Sequence, residues 1–280
     1  MPVDLANRFG TEVLVGAAQA GGATVLCLAA IWLCRRFAVH VERETVVSLV
    51  RGFVQIALVG LIIALLLGGN VLVSGLLLLA MAAAAGWISS RRARGIPGAL
   101  PLCFAAIAAG AGSVIAAMSA IGALTSDLAT LVPVGSMIIA NAMNSCGQSI
   151  ERFRSEVVAH VGQVEAALAL GAGPEATVAP YVQNAVYASL LPRLDSLKSL
   201  GIVWVPGMMA GMIVSGTNPI YAGIYQFIVM AMIFAASAVT SLTVILLLRT
   251  RIFSPAEQLM LRAAESRGFA PLPGNARQPG

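Results

Sequence analysis

Seven apolar stretches divide this chain, covering roughly residues 13–34, 46–67, 70–90, 99–121, 127–150, 201–217 and 219–248. A helix needs roughly 20 apolar residues to cross a bilayer, and most of these stretches meet that length. None alternates apolar and polar positions as barrel strands do. The pattern therefore predicts an all-α membrane protein of about seven transmembrane helices. The sixth stretch is the shortest and contains Pro206, Gly207 and Gly211, which predicts a kinked or broken helix.

One long polar interruption, residues 152–200, separates the fifth stretch from the sixth. It contains EAALALGAGPEA, Glu165 to Ala176. Two helical segments joined by the Gly-Ala-Gly-Pro turn are predicted, with Gly171 supplying backbone freedom and Pro174 opening the second helix. After Arg251, the run SPAE offers Ser254 as N-cap, Pro255 at the first helical position and Glu257 in capping-box position. A short helix to about Ser266 is predicted, followed by a Pro/Gly-rich disordered tail. The domain reading is a transmembrane part over 1–253, including the polar segment 152–200, and a terminal part over 254–280.

Composition agrees with a membrane protein. The chain is 59% hydrophobic and 10% charged over 280 residues, against about 25% charged in soluble domains. Cys27, Cys34, Cys103 and Cys146 are scattered without CxxC spacing and read as small core hydrophobes. The opening MPVDLANRFGTEV lacks a basic region and cleavage site, so no removable signal peptide is predicted.

The bases set the predicted topology. Links near 68–70, 122–126 and 216–219 contain no Lys or Arg. Fifteen of the seventeen bases fall on the other side: Arg35, Arg36, Arg43, Arg91, Arg92, Arg94, Arg152, Arg154, Arg193, Lys198, Arg249, Arg251, Arg262, Arg267 and Arg277. The exceptions are Arg8, offset by Asp4 and Glu12, and Arg51. The positive-inside rule places the N-terminus outside, the C-terminus inside and the polar segment in the cytoplasm. This asymmetry accounts for the net charge of +5 without any nucleic-acid partner.

The fifth stretch carries a polar stripe. Met137, Asn141, Asn144, Gln148, Glu151 and Ser155 are spaced 4, 3, 4, 3 and 4 apart, which puts them on one helix face. Amides at mid-bilayer are costly unless they face protein or water, so the stripe is expected to point inward. It reads as interhelical glue or a dimer seam, or as the lining of a substrate route, and the two are compatible. Gly207, Gly211 and Ser215 form a small-residue ridge for close helix packing. Nearby Met208, Met209 and Met212 are either soft-metal ligands or packing filler. Arg51 either snorkels to the membrane surface or pairs with Glu151.

Several chemistries lack their residues. His40 and His160 are the only histidines, Lys198 is the only lysine, and HExxH, GxSxG and Walker A motifs are absent. The chain is not expected to be an enzyme or to bind a cofactor itself.

The E-A-A of Glu165, Ala166 and Ala167, followed by Gly171, resembles the cytoplasmic EAA loop of ABC importer permeases, although the later part of that motif is missing. More widely, RGFVQIALVG (51–60), PVGSMIIANAMN (133–144), Glu151-Arg152, EAALALGAGPEA, VPGMMAGMIVSGTNP (205–219) and Tyr225-Gln226 together resemble the FetB-type ABC permease family, associated with iron export and aluminium tolerance. Ser136 and Ala140 stand where glycines are usual, and Ala210 and Met212 replace Thr and Gln. The resemblance implies an inner-membrane permease subunit, paired as a homodimer with a separate ATP-binding subunit that carries ATP and Mg. That subunit would grip Glu165, Ala166, Ala167, Gly171 and Pro174. The translocation route would include Met137, Asn141, Asn144, Gln148, Glu151, Met208, Met209 and Met212, with iron or another metal ion as cargo. An ion-driven secondary transporter and an ABC permease for a non-metal small molecule are the alternatives.

Overall fold

The computed structural model describes residues 2–37, 42–65, 71–93, 96–124 and 128–261. His40, Arg94, Asp127, the 68–70 link and the tail from Arg262 onward, with Arg267 and Arg277, lie outside the described residues. The chain divides into two compact units, Met1–Leu67 and Gly68–Gly280, a division that the hydropathy pattern does not signal. Among the described residues there are helices and isolated bridges but no strand.

The first unit pairs α1 (Pro2–Arg36) with α2 (Glu42–Leu65). Arg35 in the last turn of α1 meets Glu42 at the start of α2 at 3.5 Å. Trp32, Val50, Phe53 and Ile56 are all exposed. Such a surface suits hydrocarbon rather than water. An apolar groove of about 760 Å³ lies between Ala20–Thr24 and Thr45–Val54.

The second unit contains α3 (Val71–Ser90), α4 (Ala99–Ile107), a π-helical turn (Ala108–Gly112), α5 (Ser113–Ala120), α6 (Leu128–Ala159), α7 (Val161–Ala169), α8 (Pro174–Ser199), α9 (Gly207–Val214) and α10 (Pro219–Arg249). Small residues allow these helices to approach closely, as membrane packing requires. A Cβ on Gly86 of α3 would come within 2.9 Å of the Phe104 Cα on α4, and one on Gly110 would reach the Ala236 carbonyl of α10 at 2.7 Å. Gly110 lies in the π-helical turn, so the extra backbone residue there is seated against α10.

α6 is the spine of this unit. Ile138, Ala142, Cys146, Ile150, Phe153 and Val157 are buried, and at about 100° per residue they form one face of the helix. α10 buries Val229, Ile233, Ala236, Val244, Ile245 and Leu248 in the same core. Asn218 caps α10, its Oδ1 accepting from the Ile220 N–H at 2.9 Å. α8 adds Val178, Val182, Ala185 and Ser189, spaced 4, 3 and 4. All four cysteines are free, Cys103 and Cys146 fully buried.

Among the described residues five helices are long and apolar enough to cross a membrane: within α1, α2, α3, the α4–α5 rod and α10. α6 is also long enough, at 32 residues, but its polar stripe lowers its hydropathy. The sixth apolar stretch departs most from a simple span: only Gly207–Val214 is helical, eight residues, or about 12 Å.

The region after Arg251 also differs from its prediction. Through Leu261 it is a hook rather than a helix: Phe253 bridges Leu259, the Met260 N–H donates to the Ile252 carbonyl at 2.8 Å, and Glu257 takes φ 57°. Ser254 does accept from a following amide, that of Gln258, at 3.1 Å. Ile252, Phe253, Leu259 and Leu261 are all buried. No single helix face would bury that set, so burial overrides the local capping signal.

Candidate functional site

The stripe is on the outer surface of the second unit, not in its core. Asn144, Glu151 and Ser155 are exposed, Met137, Asn141 and Gln148 half-buried. The bulkier apolar face of α6, with Ile138, Ile150 and Phe153, takes the core instead. Asn141 Nδ2 donates to the Met137 carbonyl at 2.8 Å, leaving its Oδ1 as an acceptor for other partners. In hydrocarbon such amides require cover by protein or water.

Two pockets sit along this face. At the end carrying Arg91 and Arg92, here called the basic end, Gln148, Glu151, Arg152 and Ser155 of α6 face Ala188 and Pro192 of α8 around about 380 Å³. At the far end, Thr130, Pro133 and Val134 of α6 meet Gly122, Ala123, Met208, Met212, Tyr221 and Tyr225 around about 420 Å³. Val134 and Gln148 are about 21 Å apart along the helix at 1.5 Å per residue, with Asn141 and Asn144 between them. The candidate residues thus form one line with a pocket at each end. Met209 points elsewhere, its Cε lying 3.7 Å from where a Cβ on Gly223 would be.

Other candidates separate from this line. Gly207 and Gly211 have nothing within 4 Å of a built Cβ, so among the described residues no helix packs on these two positions of the ridge that includes Ser215. Arg51 belongs to the first unit and Glu151 to the second. The base that engages Glu151 is Arg92, Nη1 to Oε2 at 2.9 Å. Arg91 stacks over Trp87 at 4.1 Å. Nothing local in the sequence links Arg92 to Glu151; the only hint is Gly147, between Asn144 and Glu151, where a side chain can cross the helix.

The predicted elbow is present. α7 ends at Ala169, Gly171 takes φ 86°, and Pro174 opens α8. Glu165 and Ala166 are exposed, and Leu170 at the tip is 89% exposed. Beneath it, His160 stacks on Tyr181 at 5.2 Å, and Tyr181 donates to Gln163 Oε1 at 3.2 Å. α8 is fastened to α10 twice: Arg249 Nη2 meets Glu175 Oε2 at 2.7 Å, and the Ser189 and Ser241 hydroxyls hydrogen-bond at 3.0 Å. Burial lowers the Arg193 pKa from its ordinary value, but a guanidinium stays charged regardless.

The sequence reading also gave Gln226 no role. It is 2% exposed, and neither of its amide atoms has a hydrogen-bond partner among the described residues. An orphaned buried amide is costly and calls for a reason. Its neighbour Tyr225 lines the far pocket. Among the described residues no group of three or more His, Cys, Asp or Glu side chains could hold a metal ion.

Comparison with known proteins matches the sequence to relatives that include named membrane proteins. The chain is 30% identical over 256 residues to Protein ALUMINUM SENSITIVE 3 of Arabidopsis thaliana, covering 90% of this chain and 93% of that one. It is 31% identical over 255 residues to the UPF0014 membrane protein STAR2 of Oryza sativa subsp. japonica, covering 91% and 90%. It is 27% identical over 240 residues to the "Probable iron export permease protein FetB" of Escherichia coli, covering 85% and 93%. No solved structure matches. Residues 17–253 match the model described as Uncharacterised protein family (UPF0014). The chain is a multi-pass membrane protein that belongs to the UPF0014 family.

Proposed function

We propose that this chain is the transmembrane permease subunit of an ABC transporter, exporting iron or another metal ion with ATP hydrolysed on a separate subunit. The observation that carries the reading is the fastening of α8. Its exposed elbow at Leu170–Gly171 offers a knob for a partner, while Glu175–Arg249, Ser189–Ser241 and the shared basic-end pocket tie the same helix to α10 and α6. A push on the elbow is therefore transmitted to the face carrying Asn141 and Asn144. The name of the Escherichia coli relative supports a metal cargo and an outward direction.

On the positive-inside rule, the basic end and the elbow face the cytoplasm of a cell whose inner (plasma) membrane holds the chain. The exposed amides of α6 then call for a second copy of the chain to enclose the route. ATP and Mg belong to the partner subunit. A secondary transporter fits less well, because α3, the α4–α5 rod, α10 and α6 before Glu151 contain no carboxylate to carry a coupling ion.

The test is co-purification with ATP-binding subunits, followed by ATPase and transport assays. Glu165→Lys reverses charge on the elbow, and Gly171→Pro forbids the positive φ that the turn uses. Both are expected to lose the partner or the coupling. Full ATP-dependent transport in both variants would show the coupling reading to be wrong.

A further inference from the structure

We propose that the last turns of α8 enter the bilayer and set Asp195 and Lys198 as a charged pair on the translocation route, where Asp195 decides the sign of charge that the route passes. This rests on the reading of the chain as a permease whose route follows the α6 face.

The depth of the pair follows from the contacts of α8. Glu175 meets Arg249 and Ser189 meets Ser241, so α8 runs antiparallel to α10. Ser241 lies eight residues before the end of α10 at Arg249, about 12 Å along it. Asp195 and Lys198 are six and nine residues beyond Ser189, about 9 and 14 Å further in. That level is the middle third of α10, a helix of 31 residues. The pair also falls between Pro192 at the basic-end pocket and Met208 at the far pocket, the interval that holds Asn141 and Asn144 on α6. Just past it, Ile202, Val203 and Val205 are exposed, a surface that suits hydrocarbon and not cytoplasm. Charge counting grouped Lys198 with the cytoplasmic bases because it treated 152–200 as one polar segment.

The pair is also aimed at the route. Ala188 and Pro192 line the basic-end pocket opposite Gln148 and Ser155. Asp195 and Ser199 follow Pro192 at spacings of 3 and 4, so they continue that face of α8 to the depth of the α6 amides. Lys198 flanks the face, its Nζ 3.4 Å from Asp195 Oδ1. Arg193 is half-buried and roughly 200° round the helix from Asp195, which leaves Lys198 as the base beside the carboxylate. The two side chains are 73% and 69% exposed. Charged groups at such depth face water or protein, never lipid. A pair this open is weak, so the carboxylate still acts on a hydrated ion passing by, through charge and without a cage of ligands. Held by Lys198, it is not a free carrier for a coupling ion.

The experiment is thiol labelling of the purified full chain in nanodiscs, in a Cys27→Ala/Cys34→Ala background; Cys103 and Cys146 are fully buried. Asp195→Cys, Lys198→Cys and Ser199→Cys are each expected to react with small charged methanethiosulfonates. A maleimide carrying a long polyethylene glycol chain should label only the elbow control, Leu170→Cys. Leu79→Cys, an exposed apolar position on α3, should react with neither reagent. Relative to the elbow, Lys198→Cys should favour the trimethylammonium reagent, and Asp195→Cys the sulfonate reagent, by about fivefold or more. Asn144→Cys should favour the cationic reagent, and adding Asp195→Asn should remove that preference. Ser199→Cys keeps both charges, so it reads depth and water contact even where a charge variant misfolds. Labelling of α8 by the bulky maleimide would put its end in the cytoplasm and overturn the proposal. So would the same charge preference at 195 and 198, or an Asn144→Cys preference indifferent to Asp195. Silence at 195, 198 and 199 with Asn144→Cys reactive sinks the pair alone. Silence at Asn144→Cys as well sinks the reading of the α6 face as a route.

Discussion

Gly110→Ala tests how tightly the π-helical turn is seated on α10. The added Cβ would lie 2.7 Å from the Ala236 carbonyl oxygen and 2.8 Å from the Thr240 amide nitrogen, and would also strike the Thr240 hydroxyl. Two of these three atoms are backbone and cannot swing aside, so the turn and α10 must separate. Overpacking of this kind costs about 1–3 kcal/mol. At about 2–4 °C per kcal/mol for a chain of this size, the thermal midpoint should fall by about 2–12 °C. The assay is fluorescence-detected size exclusion of a heated fusion protein. Two other glycines serve as controls. Gly112 has nothing within 4 Å of its Cβ position, so Gly112→Ala should be neutral or stabilising by up to about 1 kcal/mol. The nearest atoms to a Cβ on Gly135 all belong to the Leu78 side chain, its methyls at 2.8 and 2.9 Å, so shortening Leu78 to Val should rescue Gly135→Ala. Thr240→Ala should rescue Gly110→Ala only in part, because the backbone contacts remain. A Gly110→Ala midpoint equal to that of Gly112→Ala, or full rescue by Thr240→Ala, would refute the argument.

Asn141→Leu should reduce transport while leaving assembly intact, measured in proteoliposomes alongside size exclusion. Loss of folding or of the dimer instead would assign the amide to interhelical packing. Asn218→Ala removes the cap on the Ile220 N–H and should cost about 1 kcal/mol. It would be seen as a lower thermal midpoint; an unchanged midpoint would mean that the α10 terminus is held by other contacts.

Features encoded over a few residues were legible in the sequence. Gly171 and Pro174 announced the elbow because a positive φ and a fixed φ each need a particular residue. The 4, 3, 4 spacing of Asn141, Asn144, Gln148 and Glu151 announced a common face because helical periodicity alone decides it. Which way that face points was not legible, since the answer depends on how α3, α8 and α10, distant in sequence, pack against α6. The Arg92–Glu151 pair joins residues far apart in the chain and leaves no local trace except Gly147. After Arg251 the sequence pointed to Ser254 as a helix N-cap, but burial of Phe253 and Leu259 folds the segment through Leu261 into a hook, in which the Ser254 hydroxyl accepts from the Gln258 N–H instead.

The brevity of α9 has a mechanical consequence. Between Pro192 at the basic-end pocket and Met208 at the far pocket, the chain advances about as far as α6 does from Gln148 to Val134, about 21 Å. It does so as the last turns of α8, an irregular joint in which the Gly201 N–H donates to the Trp204 carbonyl at 3.1 Å, and then α9. Backbone groups in such a joint cannot face hydrocarbon, so in a bilayer the joint must border water or protein. The end of α8 and the short α9 meeting there can change their angle by exchanging a few local hydrogen bonds. Bending α10 by the same amount would mean opening a continuous column of them. Of the apolar stretches along the chain, the one with the least regular backbone is also the one free to hinge.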